Sequence, residues 1–355
     1  MKLDNLHFNF SEVDGYDKPF TFVISEREAG KSTALWNKVY NQFKKNGTPS
    51  IVIRRQIADI TQTYIMDIQE VINKFHEEDP VSFRNNKNHP VTINQGVVDI
   101  YVEGKLFLRV IALSNPMSRI KSLIVRNLKY IVFDEFICNM RVGEKYLADE
   151  AFKFKELYNT FQRETDNLKC YFCGNPYSLY NPYFVWIGVD TSKLKRGNIV
   201  TGKNWVVQCY EIKPELRELI LKKNPLYQFD DSYTKYAFEG QAINDMNIQI
   251  EQTCPPNFKL KHVFRIHGKY LGVYLNCGDL LKYPRYWTNI IEYTGERRKV
   301  YCFDFNDLVH HTVLMNTADK INYYQFCNAI RNRDIMHSSI ECNYLCEEIY
   351  ETVGC

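Results

Sequence analysis

Residues Thr21 to Thr33 read TFVISEREAGKST: an apolar β-branched run, a short loop, then Gly30-Lys31-Ser32 ahead of a helical pattern that opens on Ala34 and Leu35. These residue types in this order can bind a polyphosphate. Backbone N–H groups at Ala29 and Gly30, with a helix amino terminus behind them, would surround phosphate oxygens. Lys31 would neutralise their charge and the Ser32 hydroxyl would help hold Mg²⁺, with Thr33 completing the set. The usual first glycine of a phosphate loop is replaced by Ser25, six residues before Lys31, and Arg27 sits inside the loop. Gly-Lys-Ser alone also fits an ordinary strand-to-helix turn; the strand before it and the helix after it favour the phosphate loop.

A second group of acids lies about a hundred residues downstream, in Tyr130-Ile-Val-Phe-Asp134-Glu135-Phe136. Four apolar residues predict a central parallel strand, and the acids stand at its carboxyl end, where open α/β sheets place ligands. Asp134 would bind Mg²⁺ through water and Glu135 would polarise an attacking water. An acidic pair capping a strand is usually only a turn, but the phosphate loop upstream gives this one a partner. A third strand, Lys169-Cys-Tyr-Phe-Cys173, ends in Gly174-Asn175-Pro176. Asn175 could hydrogen-bond the attacking water or the γ-phosphate, or be no more than an Asn-Pro turn.

The elements that must position these residues are those of a mostly parallel α/β sheet. Leu35, Val39 and Phe43 recur every fourth position and predict a helix ending at Asn46-Gly47. Ser50 to Arg55 reads as a second buried strand. Ile57, Ile60, Tyr64, Ile68, Val71, Ile72 and Phe75 predict one long covering helix. Arg84 to His89, between Pro80 and Pro90, reads as an exposed connection, although Arg84 and Lys87 would suit DNA phosphates if it tracked a duplex. Val91 to Val102 and Leu106 to Leu113 pair around Glu103-Gly104-Lys105. A helix through Phe154, Leu157, Tyr158 and Phe161 carries Arg163 at its end. The segment 1–19 precedes the first strand, and no residue in it identifies a nucleotide base.

The chain of 355 residues is long enough for two domains. With 45 Lys and Arg against 42 Asp and Glu, bulk charge does not announce nucleic acid, so any DNA contact must come from local loops. The sequence lacks an apolar run of the roughly 20 residues that a membrane span needs, and its start lacks the basic-then-apolar order of a signal peptide. An intracellular protein is expected. Eleven cysteines on irregular spacings suit reduced, buried thiols. Cys170 and Cys173 would point to opposite faces of one strand, which argues against a zinc site.

The loop SEREAGKS, the strand YIVFDEF and the strand end CGNP, in this order, resemble the large-terminase class of viral DNA-packaging motors. Within that class the chain is similar to the DNA encapsidation ATPases of small tailed bacteriophages with protein-primed linear genomes. SRIKS at 118–122 and NPYF at 181–184 also look like that subgroup. The resemblance implies a P-loop NTPase of the additional-strand, catalytic-glutamate type over residues 1–205. A linker or lid over 206–247 and a smaller α+β ribonuclease-H-like domain over 248–355 would follow. It implies ATP and Mg²⁺ as cofactors, Asn175 as the coupling residue, and a ring at the portal, pentameric in this subgroup. In such a ring Arg163, or second Lys121, would supply charge to a neighbour's nucleotide. The partners implied are double-stranded DNA, the portal or connector, other copies of the chain and, as a further candidate, a structural RNA, with no membrane. The place of action would be the host cytoplasm and, transiently, the procapsid rather than the mature virion.

In the last third, strands are expected at Val263 to Ile266, Tyr270 to Leu275, Val300 to Phe305 and His311 to Met315, with helices at Tyr323 to Ile330 and Ile340 to Tyr350. A working nuclease needs carboxylates converging on metals. The strand from Tyr270 has no acid, and Asp304 and Asp307 do not make a set alone, so the nuclease is expected to be vestigial. Lys259, Lys261, Arg265, Lys269, Arg297, Arg298 and Lys299 could contact DNA, RNA or the portal, or form a solvated face. The leading expectation is an ATP-driven DNA translocase. A terminase with an active nuclease, and an assembly subunit that binds ATP without hydrolysing it, are the alternatives, and a small-molecule kinase fits less well.

Overall fold

The computed structural model describes residues 6–93, 96–123, 125–139, 142–179, 181–229, 249–280, 282–293, 299–303, 305–315 and 323–353. The chain divides into two compact units at 246/247.

In the first unit the elements run α1 (Ser11–Asp14), β1 (Phe20–Ser25), α2 (Lys31–Asn46), β2 (Ser50–Arg54), α3 (Gln62–Phe75), β3 (Val97–Val102), β4 (Lys105–Ala112) and α4 (Met117–Lys121). They continue with β5 (Tyr130–Asp134), α5 (Glu150–Gln162), β6 (Lys169–Gly174), α6 (Pro182–Ile187), β7 (Ile199–Thr201), β8 (Trp205–Tyr210) and α7 (Pro214–Lys223). The strands form one eight-stranded sheet in the order β3-β4-β2-β5-β6-β1-β8-β7. Its six inner strands are parallel, and β3 and β7 run antiparallel at the edges. The fold is therefore mixed α/β around a largely parallel sheet, as the sequence predicts.

Alternation along each strand splits the apolar residues between two cores. Phe22 and Ile24 of β1 lie with Ile51, Ile131 and Phe172 on one face. Val23 lies with Val52, Val132 and Tyr171 on the other, under Leu35 and Val39 of α2. Cys170 belongs to the first core and Cys173 to the second, so their sulfurs do point apart. Phe22 stacks on Phe172 with ring centroids 4.3 Å apart, which helps to register β1 against β6.

Two local readings need correction. The long helix expected from Ile57 is interrupted: Ile57–Asp59 is a 3₁₀ turn, and α3 starts only after Thr61, whose hydroxyl accepts the Tyr64 N–H. A side-chain cap satisfies a donor that a continuous helix would have bonded to its own backbone. The boundary expected after residue 205 falls inside the sheet, because β8 pairs with β1 along its whole length. Leu216 and Ile220 of α7 are buried in the first core, so residues 206–223 build the first unit rather than a linker. The polar stretch from Asp230 to Asn247 lies outside the described residues.

The second unit contains β9 (Phe258–Ile266), β10 (Lys269–Asn276), β11 (Tyr286–Ile291), β12 (Val300–Cys302), β13 (Thr312–Leu314), α8 (Tyr324–Arg331), β14 (Ile335–His337) and α9 (Ile340–Val353). Its sheet order is β13-β12-β9-β10-β11-β14. β9, β10 and β11 are an antiparallel meander; β12 runs parallel to β9, β13 to β12, and β14 to β11. Phe264, Ile266, Leu271 and Val273 pack with Phe326, Leu345 and Ile349 from the helices.

Asp307 in this unit serves a turn. Its carboxylate accepts the His267 and Gly268 N–H groups at 2.7 and 2.6 Å, with Arg265 3.6 Å away. Asp304, Arg297 and Arg298 lie outside the described residues. Of the other basic candidates, Lys269 pairs with Glu341, while Lys259 and Lys261 are exposed on β9. Among the described residues, no group of three or more His, Cys, Asp or Glu is placed to hold a metal ion. Nor is any helix among them long and apolar enough to cross a membrane.

Candidate active site

The carboxyl ends of β1, β6 and β5 finish level with one another, because Ile24 pairs with Gly174 and Asp134 with Cys173. β6 separates the strand of the phosphate loop from the strand of the acids. A cavity of about 680 Å³ opens over these ends, and Arg27, Ala29, Gly30, Lys31, Ser32, Thr33, Asp134, Glu135 and Asn175 all line it. Three sequence segments predicted to share a site thus do so.

The loop closes on Gly30, which caps α2 with φ 89° and ψ 13°. A Cβ there would stand 3.1 Å from the Cβ of His7, which also lines the cavity. The backbone sign and the close approach both call for glycine. His7 comes this near because the Phe8 N–H donates to the Ala29 carbonyl at 2.9 Å. That tie places the segment before β1 against the phosphate loop.

Lys31 is buried, and its ammonium donates to Ser25 O (3.0 Å), Ser25 Oγ (2.9 Å), Glu26 O (3.0 Å) and Asn175 Oδ1 (3.2 Å). Ser25, standing where a glycine is usual, therefore receives the lysine with both its oxygens. Burial lowers the Lys31 pKa to about 8, against the opposing pull of Cys173, Asp134 and Glu26. Arg27 donates to the Tyr177 hydroxyl at 3.1 Å.

Burial raises the Asp134 pKa, and Glu135 raises it further; a hydrogen bond from Ser32, with Arg54 and Lys31 nearby, pulls it back. The Ser32 hydroxyl and the Asp134 carboxylate thus line one cavity, near enough for the hydroxyl to hold the carboxyl pKa down. They form the hard-oxygen pair that Mg²⁺ prefers, so the residues present fit that ion.

Glu135 has φ 62°, an uncommon backbone for a residue with a side chain. Its side chain is 62% exposed and meets Arg54 Nη2 of β2 at 3.0 Å. The Arg54 guanidinium in turn lies 4.6 Å from the centre of the Tyr64 ring. Three contributors to this site are invisible in motif reading. Arg54 and Arg55 stand where β2 ends, and their only signal is a charged pair closing an apolar strand at the ligand edge. Glu26, inside the loop, is 1% exposed and is paired with Arg196 at 2.5 Å and Arg217 at 3.6 Å. Its partners come from distant sequence, so nothing local marks it.

Arg163 and Lys121 are not in this cavity. Arg163 caps the far end of α5 and is exposed; the residues that follow it, Glu164 and Thr165, bond to Asn127 and Leu128 ahead of β5. This is the amino edge of the sheet, removed from the acids by the length of β5, roughly 16 Å at about 3.3 Å per residue. Lys121 pairs with Glu156 of α5 at 2.7 Å, and Glu156 also feels the charge of Arg163. The two cations therefore share one exposed face formed by α4 and α5, and neither lines the cavity of its own chain.

The profile of the podovirus DNA encapsidation protein (Gp16) family matches residues 3–352. The chain is 27% identical over 323 residues to the DNA packaging protein of Bacillus phage B103, covering 89% of this chain and 92% of that one. It is also 27% identical over 327 residues to the DNA packaging protein of Bacillus phage phi29, covering 90% and 89%. Its fold resembles a chain of the bacteriophage Phi-29 viral genome packaging motor assembly with a TM-score of 0.66 at 21% identity, over 98% of this chain and 100% of that one. Matched from residue 3 to residue 352, with a phosphate loop, an acidic strand end and an asparagine assembled on one sheet edge, this chain belongs to the podovirus DNA encapsidation protein family.

Proposed function

We propose that this DNA-packaging protein hydrolyses ATP and couples hydrolysis to movement of double-stranded DNA into a procapsid. The observation that carries the reading is the meeting of Lys31, Asp134, Glu135 and Asn175 around one cavity. The Gly30 turn and the start of α2 offer N–H groups to the phosphates, and Lys31 leaves its carbonyl partners to neutralise them. Ser32 and Asp134 would hold Mg²⁺, which would supply positive charge against that of the phosphates. Glu135 orients water and accepts its proton once its carboxylate parts from Arg54. Asn175, already bonded to Lys31, exchanges that bond for one to the γ-phosphate or to water and so reports occupancy along β6.

The exposed α4–α5 face bearing Lys121 and Arg163 suits contact with the next subunit of a ring, a pentamer in this reading. There one of these cations would approach the neighbour's γ-phosphate. Portal contact, a structural RNA and transient residence on the procapsid in the host cytoplasm belong to the same reading. In the second unit, an antiparallel meander flanked by parallel strands supports a ribonuclease-H-like domain. With Asp307 tied into a turn, its role here is polyanion or portal contact rather than cleavage. The deciding experiment is steady-state phosphate release by the purified chain with and without duplex DNA. Stimulation by DNA is expected, and an absence of hydrolysis under both conditions would leave the non-hydrolysing assembly subunit as the answer.

A further inference from the structure

Arg54 ends β2 and Arg55 follows it, and their side chains reach different parts of the same glutamate. Arg54 meets the Glu135 carboxylate. Arg55 turns under it: Nη1 donates to the Glu135 carbonyl at 3.3 Å, and Nη2 to the Phe136 carbonyl at 2.7 Å. The same guanidinium grips Glu150 through Nε at 2.9 Å and Nη2 at 3.1 Å. Glu150, with none of its side chain exposed, also accepts the Tyr183 hydroxyl at 2.9 Å and the Leu147 N–H at 2.8 Å. Every oxygen of this buried pair is therefore in use.

A buried ion pair is costly to assemble unless its remaining hydrogen bonds are satisfied, and it stabilises a fold no better than apolar packing would. Its geometry is what apolar packing cannot supply. Glu135 keeps a backbone of φ 62° that residues with side chains avoid, and such a conformation lasts only where the surroundings over-determine it. The two carbonyl bonds from Arg55, with the Phe136 N–H donated to the Cys173 carbonyl of β6 at 3.2 Å, are those surroundings.

We propose that Arg55, locked by Glu150 and Tyr183, is a positioning residue that holds the Glu135 backbone so that its carboxylate faces the γ-phosphate cavity. This rests on Glu135 being the residue that activates water. Arg55 does not line the phosphate-loop cavity, so its loss should change turnover without changing nucleotide affinity.

The test uses the full chain carrying Arg55→Lys, Glu150→Gln or Tyr183→Phe. Three quantities are read: kcat and KM for ATP, affinity for a fluorescent ATP analogue, and amide exchange at residues 135–137. Arg55→Lys keeps the charge but cannot bridge two carbonyls and a carboxylate together. It should lower kcat by about tenfold or more while KM and analogue affinity stay within about twofold. Exchange at 135–137 should quicken while the rest of the unit stays protected. Should Arg55→Lys or Glu150→Gln fail to fold, Tyr183→Phe, which deletes one hydrogen bond, should show the same pattern at about twofold to fivefold in kcat. An unchanged kcat in a folded variant overturns the proposal. So does a parallel fall in kcat, affinity and protection throughout the unit, which would mean a purely structural pair. If the parental chain itself binds the analogue but releases no phosphate, the reading of Glu135 fails and the proposal falls with it, an outcome distinct from a parental enzyme whose variants are unaffected.

Discussion

Lys31 and Asn175 are 144 positions apart in the chain and meet at 3.2 Å, ammonium to side-chain carbonyl. The lysine of the loop after β1 and the end of β6 are thereby one hydrogen-bonded unit. An anion that drew Lys31 toward itself would break or stretch this bond together with those to Ser25 and Glu26, so the ends of β6 and β1 would both register it.

Glu135→Gln should bind nucleotide nearly as the parent does and lose most turnover, by about 10² to 10⁴ if it serves as general base. Lys31→Ala should instead weaken binding itself, because the phosphates lose their counter-ion. Parallel measurement of analogue binding and phosphate release separates the two, and parental turnover in Glu135→Gln would remove Glu135 from the mechanism.

Nucleotide affinity should depend on pH through Lys31. Its pKa in the free protein is lowered to about 8, so the ammonium is charged at pH 7 and loses its proton as pH rises through that value. Binding of a polyanion needs the charged form, so affinity should hold below pH 8 and then fall, by up to about tenfold per pH unit. Titration of analogue binding from pH 6.5 to 9.5 checks the sign; a flat profile would count against Lys31 as the counter-ion.

Gly30→Ala places a side chain at φ 89° and 3.1 Å from the Cβ of His7. The strained backbone alone costs roughly 1–2 kcal/mol. The loop should relieve it by reshaping, so analogue binding should weaken by tenfold or more while α2 and the cores persist by circular dichroism. Gly47→Ala, also at positive φ but with open space around it, is the control and should spare binding.

Arg163→Ala and Glu135→Gln should each be inactive alone. Mixed, they create interfaces with an intact Arg163 beside an intact Glu135, and part of the hydrolysis should return. Lys121→Ala gives the parallel experiment, made sharper because Lys121 and Arg163 flank Glu156 on one face. No recovery at any ratio, despite co-assembly, would exclude a shared site through Arg163.

The full chain should leave supercoiled plasmid uncut in Mg²⁺ or Mn²⁺, since Asp307 is committed to the His267 and Gly268 N–H groups. DNA binding, measured at 50 and 200 mM salt, should weaken steeply if the contacts are phosphates. Metal-dependent nicking would restore the active-nuclease reading.

Neighbouring residues specify local elements and the motifs those elements carry. Ser25 to Thr33 carries its own strand, turn glycine and helix start, and Tyr130 to Glu135 carries a buried strand with acids at its end, so both segments were legible without their surroundings. The fourfold spacing of Leu35, Val39 and Phe43 likewise specified a helix and the face it buries. Which segments meet depends on the folded chain. A parallel strand finds its partner through a crossover, so nothing within Trp205–Tyr210 says that it joins the sheet beside β1 rather than opening a linker. The same holds for the insertion of β6 between the lysine's strand and the acids' strand, which brings Asn175 to Lys31. Arg55 and Glu150 are 95 residues apart, and nothing beside either one in the chain points to the other. Only their joint burial beneath Glu135 turns them into a support for it, because a charge removed from water must find its partners in three dimensions.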